Sequence, residues 1–350
     1  MVSREMIDAI TGAYRHREIV HERYKFRYPS SLVSRLGYTT EWLLRRYLSS
    51  GENVMRWAEA TTLECLPRYS LKGYEFVDLG RYVNGDMGYK EFEGDPDIEV
   101  ALAFGDVYSY RNYFHFVLAI LSCYKEFCSL RESVPGIKLC CLGEHNKKYH
   151  YEWFDILGID RRSIVSISRM QDSIRVRALL TVKSSSVKHR RLASEAILSK
   201  LYATDAPEVA KKIFVNREPG SVRSLVNNNV IADIACASGY KEVLLEGMPV
   251  IEQIGCFASS SRVLLLHGAS IINSCFMSRD SCLIEFSGNH LIMAGLDLSI
   301  SNYRDYGYIL NAQESSSQCE KRWKPVMSPF YLDPSLFEEA INIAETQIPR

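Results

Sequence analysis

The chain predicts a mixed α/β fold built on parallel sheets, and three observations carry that prediction. From residue 98 onward, short apolar runs of strand length alternate with longer stretches of helical spacing. The 350 residues suffice for two domains of about 100 to 200 residues each. A polar, proline-bearing segment, Tyr202 to Glu208, interrupts the alternation. Strands alternating with helices favour a parallel sheet covered on both faces. The expected architecture is therefore two Rossmann-like halves facing a cleft, residues 1–204 and 205–350, with the last helix packing back on the first half.

The elements follow in order. Helical stretches are expected around Arg4 to Arg23 and Glu41 to Leu48. Ile98 to Phe104 is a predicted strand, Tyr113 to Leu130 a helix, Ile137 to Leu142 a strand and Tyr151 to Leu157 a helix. Ser163 to Ile167 and Arg177 to Val182 are further strands, and His189 to Leu201 a helix. Beyond the polar segment come the strand Lys212 to Asn216, the helix Val222 to Ser238, the strand Glu242 to Leu245 and the helix Val250 to Ala258. The series closes with the strand Arg262 to Leu266, the helix Ala269 to Met277 and the strand Cys282 to Phe286.

Composition narrows the function. Lys plus Arg and Asp plus Glu are 42 each, so the formal charge cancels, and a protein whose main task is gripping nucleic acid is disfavoured. The balance is uneven along the chain. The first fifty residues hold nine basic and five acidic side chains, which suits peripheral contact with an anionic membrane surface. The ten cysteines contain no Cys-x-x-Cys pair, which argues against a zinc site. Most lie in apolar segments, as Cys140 and Cys141 do, where the thiol packs as a small hydrophobe. No signal-like leader and no run near the roughly 18 apolar residues of a membrane span is present, so a cytoplasmic location is expected.

Several segments carry chemistry-bearing residues at strand ends, where ligands bind in open parallel sheets. His267 and Gly268 follow the strand ending at Leu266 and open the next helix. That turn is either a phosphate cradle or a plain strand-to-helix connection. Glu285 interrupts an apolar strand and must find donors, from ligand hydroxyls or from an internal salt bridge. Arg217 follows the strand Lys212 to Asn216, and Arg223 falls in the first turn of the expected helix. Both suit bidentate phosphate recognition, with solvated surface as the alternative. His115, beside Phe114 and Phe116, is either a general base or a satisfied core histidine. Asp95 and Asp97 have the spacing of a metal-binding carboxylate pair, but precede the first clear strand and read better as an acidic turn. No Gly-x-Gly-x-x-Gly, P-loop or Gly-x-Ser-x-Gly motif occurs.

Taken in order, these segments resemble glycosyltransferase family 61. The chain reads Ile213 to Arg217, Arg223, Asn227-Asn228, Val243 to Glu246, Glu252-Gln253, His267-Gly-Ala269, Asn273 and Ile284-Glu285, and Asn112-Tyr-Phe-His115 resembles the family's Asn-x-x-His helix start. The resemblance spans roughly Ile98 to Tyr308. It implies a GT-B architecture and an inverting, metal-independent transfer from a nucleotide-sugar donor, UDP-linked, to the hydroxyl of a glycan or lipid-linked glycan acceptor. It implies no cofactor beyond the nucleotide-sugar co-substrate. It assigns Arg217, Arg223, His267, Gly268, Ala269 and Asn273 to the donor, Glu285 to the nucleoside ribose and His115 to the base, with Asn112 and Asn227 as further site candidates. Ala119 stands where the family commonly has a carboxylate, Asn228 where it has Glu, and Ser270 where it has Gly. Those departures keep two alternatives open: a non-catalytic homologue scaffolding a glycan assembly complex, and a nucleotide-sugar epimerase.

Overall fold

The computed structural model describes residues 94–105, 108–167, 173–184, 187–202, 210–278, 280–288, 298, 305–310 and 328–346, together with four strands in the first 72 residues. The chain divides into two compact units. One comprises Met1–Arg23 and Trp57–Leu201, the other Tyr24–Arg56 and Tyr202–Arg350.

The first unit is built on a six-stranded sheet. Its strands are β1 (Arg17–Val20), β4 (Ala60–Lys72), β5 (Ile98–Phe104), β6 (Lys138–Leu142), β7 (Ile164–Ile167) and β8 (Ser173–Ser184), in the order β1-β4-β8-β5-β6-β7. Strands β8, β5, β6 and β7 are parallel. The alternation from Ile98 onward thus gives the expected parallel sheet, but β4 and β1 add an antiparallel edge. The edge covers what would otherwise be the unpaired backbone of β8. It also corrects the helix expected over Arg4 to Arg23, since Arg17 to Val20, ending in β-branched Ile19 and Val20, pairs as a strand. The expected helix at Glu41 to Leu48 lies outside the described residues.

Helix α1 (Tyr113–Ser133) follows β5, and α2 (Lys148–Leu157) follows β6. Asn112 starts α1 by accepting the Phe114 N–H at 2.9 Å, the usual role of an N-cap side chain. Pro135 follows its end. The apolar face of α1, with Phe116, Val117, Ile120, Leu121 and Phe127, is buried along with Val100, Ala101 and Leu102 of β5. Helix α3 (Val187–Leu201) completes the unit.

The second unit carries an all-parallel sheet of β9 (Lys212–Asn216), β10 (Lys241–Leu244), β11 (Arg262–Leu266), β12 (Cys282–Ser287) and β13 (Asp305–Leu310), ordered β10-β9-β11-β12-β13. A two-stranded ribbon of β2 (Phe26–Arg27) and β3 (Val54–Met55) stands apart from it. Helices α4 (Asn228–Ala237), α5 (Val250–Ser259) and α6 (Pro334–Thr346) accompany the sheet. Alternation along the strands sorts the side chains onto two faces. Phe214, Leu264, Leu266, Ile284 and Phe286 share one core cluster with Ile231 and Ala235 of α4 and Phe337, Ala340 and Ala344 of α6. The last helix, expected against the first half, therefore packs on the second unit, where Phe337 meets the rings of Phe214 and Phe286 at 5.3 and 5.1 Å. Val215, Leu265 and Glu285 occupy the opposite face, aligned in one register row.

Two expected helices change form. The stretch from Val222 begins as a turn, and α4 starts only at Asn228. Residues 224 to 227 are instead held to the segment before α6, by Phe330 N–H to Ser224 O at 3.0 Å and Val226 N–H to Phe330 O at 2.9 Å. The stretch after Gly268 is a 3-10 turn, Ala269–Phe276.

Candidate functional site

In the second sheet β9 is an interior strand. The chain leaves it for β10 on one side and returns past it to β11 on the other. The carboxyl ends of β9 and β11 therefore form the topological switch point where open parallel sheets bind ligands. Arg217 extends β9 and His267 extends β11, so both fall at this edge for reasons of topology.

Arg217 is half-buried. Its Nη1 donates to Val222 O and its Nη2 to His267 O, each at 3.0 Å, while Nε is buried without a partner. No described residue forms an ion pair with it. Burial pulls its pKa down from the ordinary value, Glu246 opposes that shift and Arg223 adds to it. A desolvated cation whose terminal nitrogens rest on two carbonyls still carries its full charge toward an incoming anion.

Gly268 explains how the guanidinium fits. Its backbone is extended, with φ −179°, which any residue adopts. A Cβ there would lie 1.8 Å from Arg217 Nη2. Glycine leaves the guanidinium this position; a side chain here would displace it. The following amides, of Ala269 and Ser270, precede the first N–H accepted within the turn, Ile271 to Gly268 O at 3.2 Å. They retain donor capacity at the turn's start.

His267 is buried, and its Nδ1 is hydrogen-bonded to Oε1 of Glu285, which is 0% exposed. Glu285 sits on β12 in the row of Leu265, and His267 lies two residues past Leu265, so alternation puts both on one face. Of the two donor sources open to Glu285, the internal one is present. Asn273, also fully buried, donates from Nδ2 to Gln253 Oε1 at 3.2 Å. Gln253 in turn donates to Met248 O at 2.9 Å. The chain ties the 3-10 turn to the loop after β10.

The remaining candidates separate. Arg223 belongs to the turn before α4, not to a helix, and holds a left-handed φ of 60°. Asn227 uses both ends of its amide on Leu332, Nδ2 to O at 2.7 Å and Oδ1 from N–H at 3.2 Å, which fastens the turn to the segment leading into α6. His115 and Asn112 belong to the first unit, at the carboxyl end of β5. The His115 ring lies 5.1 Å from Tyr108 and 5.6 Å from Phe114. Ala119, one turn further along α1, lies beside Gly105 just past β5. The Asp97 carboxylate is engaged by Arg175, with contacts of 2.9 Å to Nη2 and to the backbone N–H, and Arg175 lowers its pKa. Among the described residues, no three His, Cys, Asp or Glu side chains gather as a metal site.

One residue of this edge escaped the sequence. Asn216 is buried and donates from Nδ2 to Asn228 Oδ1 at 2.7 Å and to Glu242 Oε1 at 2.5 Å, while its Oδ1 accepts the Arg217 N–H at 2.8 Å. A polar residue closing an otherwise apolar strand, immediately before an arginine, is the signal that marks it.

Fold and edge together define an α/β protein with an anion-suited strand-end site in its second unit. Residues 113–284 match the family described as Glycosyltransferase 61. This match, over just under half of the chain, supports assignment to that family and glycosyltransferase activity. The chain is also similar to two solved structures. One is the dodecameric iron-containing heptosyltransferase TibC in complex with ADP-D-beta-D-heptose, at 12% identity over 67% of this chain and 68% of that one, TM-score 0.31. The other is TibC from enterotoxigenic E. coli, at 12% identity over 68% and 70%, TM-score 0.29. No curated protein matches the sequence. No helix of the described residues is long and apolar enough to cross a membrane.

Proposed function

We propose that the protein is an inverting GT-B transferase that moves a sugar from a UDP-linked donor to a glycan hydroxyl, and that it needs neither a metal nor a prosthetic group. The observation that carries this is Arg217, a half-buried cation with no ionic partner among the described residues, held at the switch point of a parallel sheet beside the amides of Ala269 and Ser270. In the proposed reaction an acceptor oxygen attacks the anomeric carbon and the bond to the diphosphate breaks on the opposite face. His115 takes the acceptor proton. Negative charge develops on the departing phosphate oxygen, where preorganised donors act most strongly. Arg217, Arg223 and the turn His267-Gly268-Ala269 meet that charge, Asn273 holds the turn, and Asn112 in the first unit and Asn227 in the second are further candidates. The ribose role expected of Glu285 gives way to support of His267. A cytoplasmic setting, with residues 1–50 touching the membrane of a lipid-linked acceptor, completes the proposal.

A thermal-shift series over nucleoside diphosphates and their sugars tests it, because a ligand that binds only the folded state raises the unfolding temperature by mass action. Uridine nucleotides are expected to stabilise the protein. No response to uridine, guanosine or cytidine nucleotides would overturn the donor assignment. His115→Ala is expected to abolish turnover while nucleotide affinity is retained, and equal loss of both removes His115 as the base.

A further inference from the structure

The turn after β9 adopts a backbone that its local sequence does not favour. Ser221 N–H bonds to Glu218 O at 3.0 Å and Ser224 N–H to Ser221 O at 3.2 Å, while Gly220 and Arg223 both have left-handed φ, 80° and 60°. That conformation is natural for glycine and disfavoured for arginine, whose Cβ crowds the backbone. Among the described residues Arg223 is the one non-glycine residue there. Such a residue persists where its surroundings over-determine it.

Here the surroundings come from a segment 105 positions further along the chain. Residues 328–333, leading into α6, run beside the turn. Phe330 forms a parallel bridge with Leu225. Its N–H donates to Ser224 O at 3.0 Å, and its O accepts the Val226 N–H at 2.9 Å. The ladder then continues through a side chain. The Asn227 amide donates to Leu332 O at 2.7 Å and accepts the Leu332 N–H at 3.2 Å, as a peptide unit of a neighbouring strand would. This strap is anchored on both sides. Leu332 is buried in one core with Phe214 and Leu225. Phe330 lies against Gly288, just past β12, where a Cβ would come within 3.0 Å of its Cγ. The strap therefore links the carboxyl end of β12 to the turn after β9. That turn touches the cation, because Arg217 Nη1 donates to Val222 O at 3.0 Å. Val222 O belongs to the rigid peptide plane whose orientation the φ of Arg223 sets. Fixing residues 224 to 227 therefore aims the carbonyl on which the guanidinium rests.

We propose that Asn227 and Phe330 are positioning residues, which act through the turn and Val222 O to hold Arg217 where the diphosphate charge develops. The proposal rests on the reading of Arg217 given above and adds that a distant strap, not the strand end alone, sets the place of the cation. Hydrogen–deuterium exchange on the full chain is one test, and turnover is the other, read as UDP release from the UDP-sugar that stabilises the protein most. Asn227→Ala removes both bonds to Leu332 and should speed exchange of the amides of residues 218–226 by about tenfold. Exchange in β9 and β11 should stay unchanged. Turnover should fall by about tenfold, and that loss should vanish on an Arg217→Ala background, because the residue acts only through the cation. Gly288→Ala, whose new Cβ meets Phe330, should give the same pattern at about threefold, and it carries the test if Asn227→Ala does not fold. Unchanged exchange of the turn in both variants overturns the strap. Turnover unmoved by either variant, where Arg217→Ala abolishes it, overturns the link to the cation. Equal losses with and without Arg217 mark a general structural role and overturn that link as well. If Arg217→Ala itself leaves turnover intact, the proposed function fails, and exchange alone decides the strap.

Discussion

Both units place a parallel sheet's switch point beside a cluster of polar side chains, but the two edges differ in kind. In the second unit the edge is ionic: Arg217 sits on two carbonyls, and His267 is backed by the fully buried Glu285. In the first unit the edge is aromatic and built around two buried histidines. Phe104, Phe116, Tyr149 and Phe154 surround His145 and His150, whose rings are 4.7 Å apart. Burial pulls the pKa of His145 down to about 4 and that of His150 down to about 3, with His145 and Lys147 adding to the latter. His150 Nδ1 accepts the Lys147 N–H at 3.1 Å, as a neutral ring does. The lesson is that the same topological position, at the carboxyl edge of a parallel sheet, can be filled by a buried cation and ion-paired histidine in one unit and by aromatic rings and neutral histidines in the other.

The sharpest way to break the contrast is to remove the cation. Arg217→Ala is expected to lower kcat/KM by about 10³-fold, since it deletes charge stabilisation of the leaving group. Gly268→Ala should cost about 10²-fold by displacing the same guanidinium, whose Nη2 lies 1.8 Å from the new Cβ. Steady-state kinetics of the double variant supplies the check: because both changes act on one group, it should be no worse than Arg217→Ala alone. Additive losses would mean that Gly268 serves the ligand directly.

A second test asks whether Glu285 belongs to the ligand or to the scaffold. Glu285→Ala leaves a buried imidazole N–H without its acceptor and should destabilise the fold by roughly 3 kcal/mol in urea titrations. Glu285→Gln keeps an oxygen for that bond and should cost about 1 kcal/mol. Full stability in Glu285→Ala, with donor affinity alone reduced, would return the residue to the ribose.

The smallest effect concerns the neutral histidines. Unfolded histidine titrates near 6.5, while the folded values lie near 4 and 3. Between those limits the unfolded chain binds protons that the folded chain does not, so stability falls as pH drops below about 6.5 and is unaffected by these groups above it. Unfolding temperatures recorded from pH 7.5 to 4.5 should show this slope. Combining His145→Gln with His150→Gln should flatten it, and an unchanged slope would place the acid sensitivity elsewhere.

Much of the second sheet was legible because its strands are bounded apolar runs. Lys212 to Asn216 and Arg262 to Leu266 were predicted to the residue, and strand ends located Arg217 and His267 without any contact being known. Where local pattern failed, a distant partner decided. The helix expected from Val222 yields to a turn because residues 224 to 227 bond to Phe330 and Leu332. The antiparallel β4 was invisible because its reason for being a strand is the edge of β8, more than a hundred positions later.

The sequence by itself determined the α/β alternation, the family resemblance and the strand ends at which the charged residues stand, because those depend on short-range periodicity and on motif order. Tertiary structure alone decided what each of those residues touches. Glu285 could have met a ribose or a histidine, and Gly268 could have made room for a phosphate or for an arginine. Register between β11 and β12 brought Glu285 and His267 together, and the adjacency of β9 and β11 put Arg217 over Gly268. Pairing between strands far apart in the chain is fixed by long-range packing and hydrogen bonding, which no local pattern encodes.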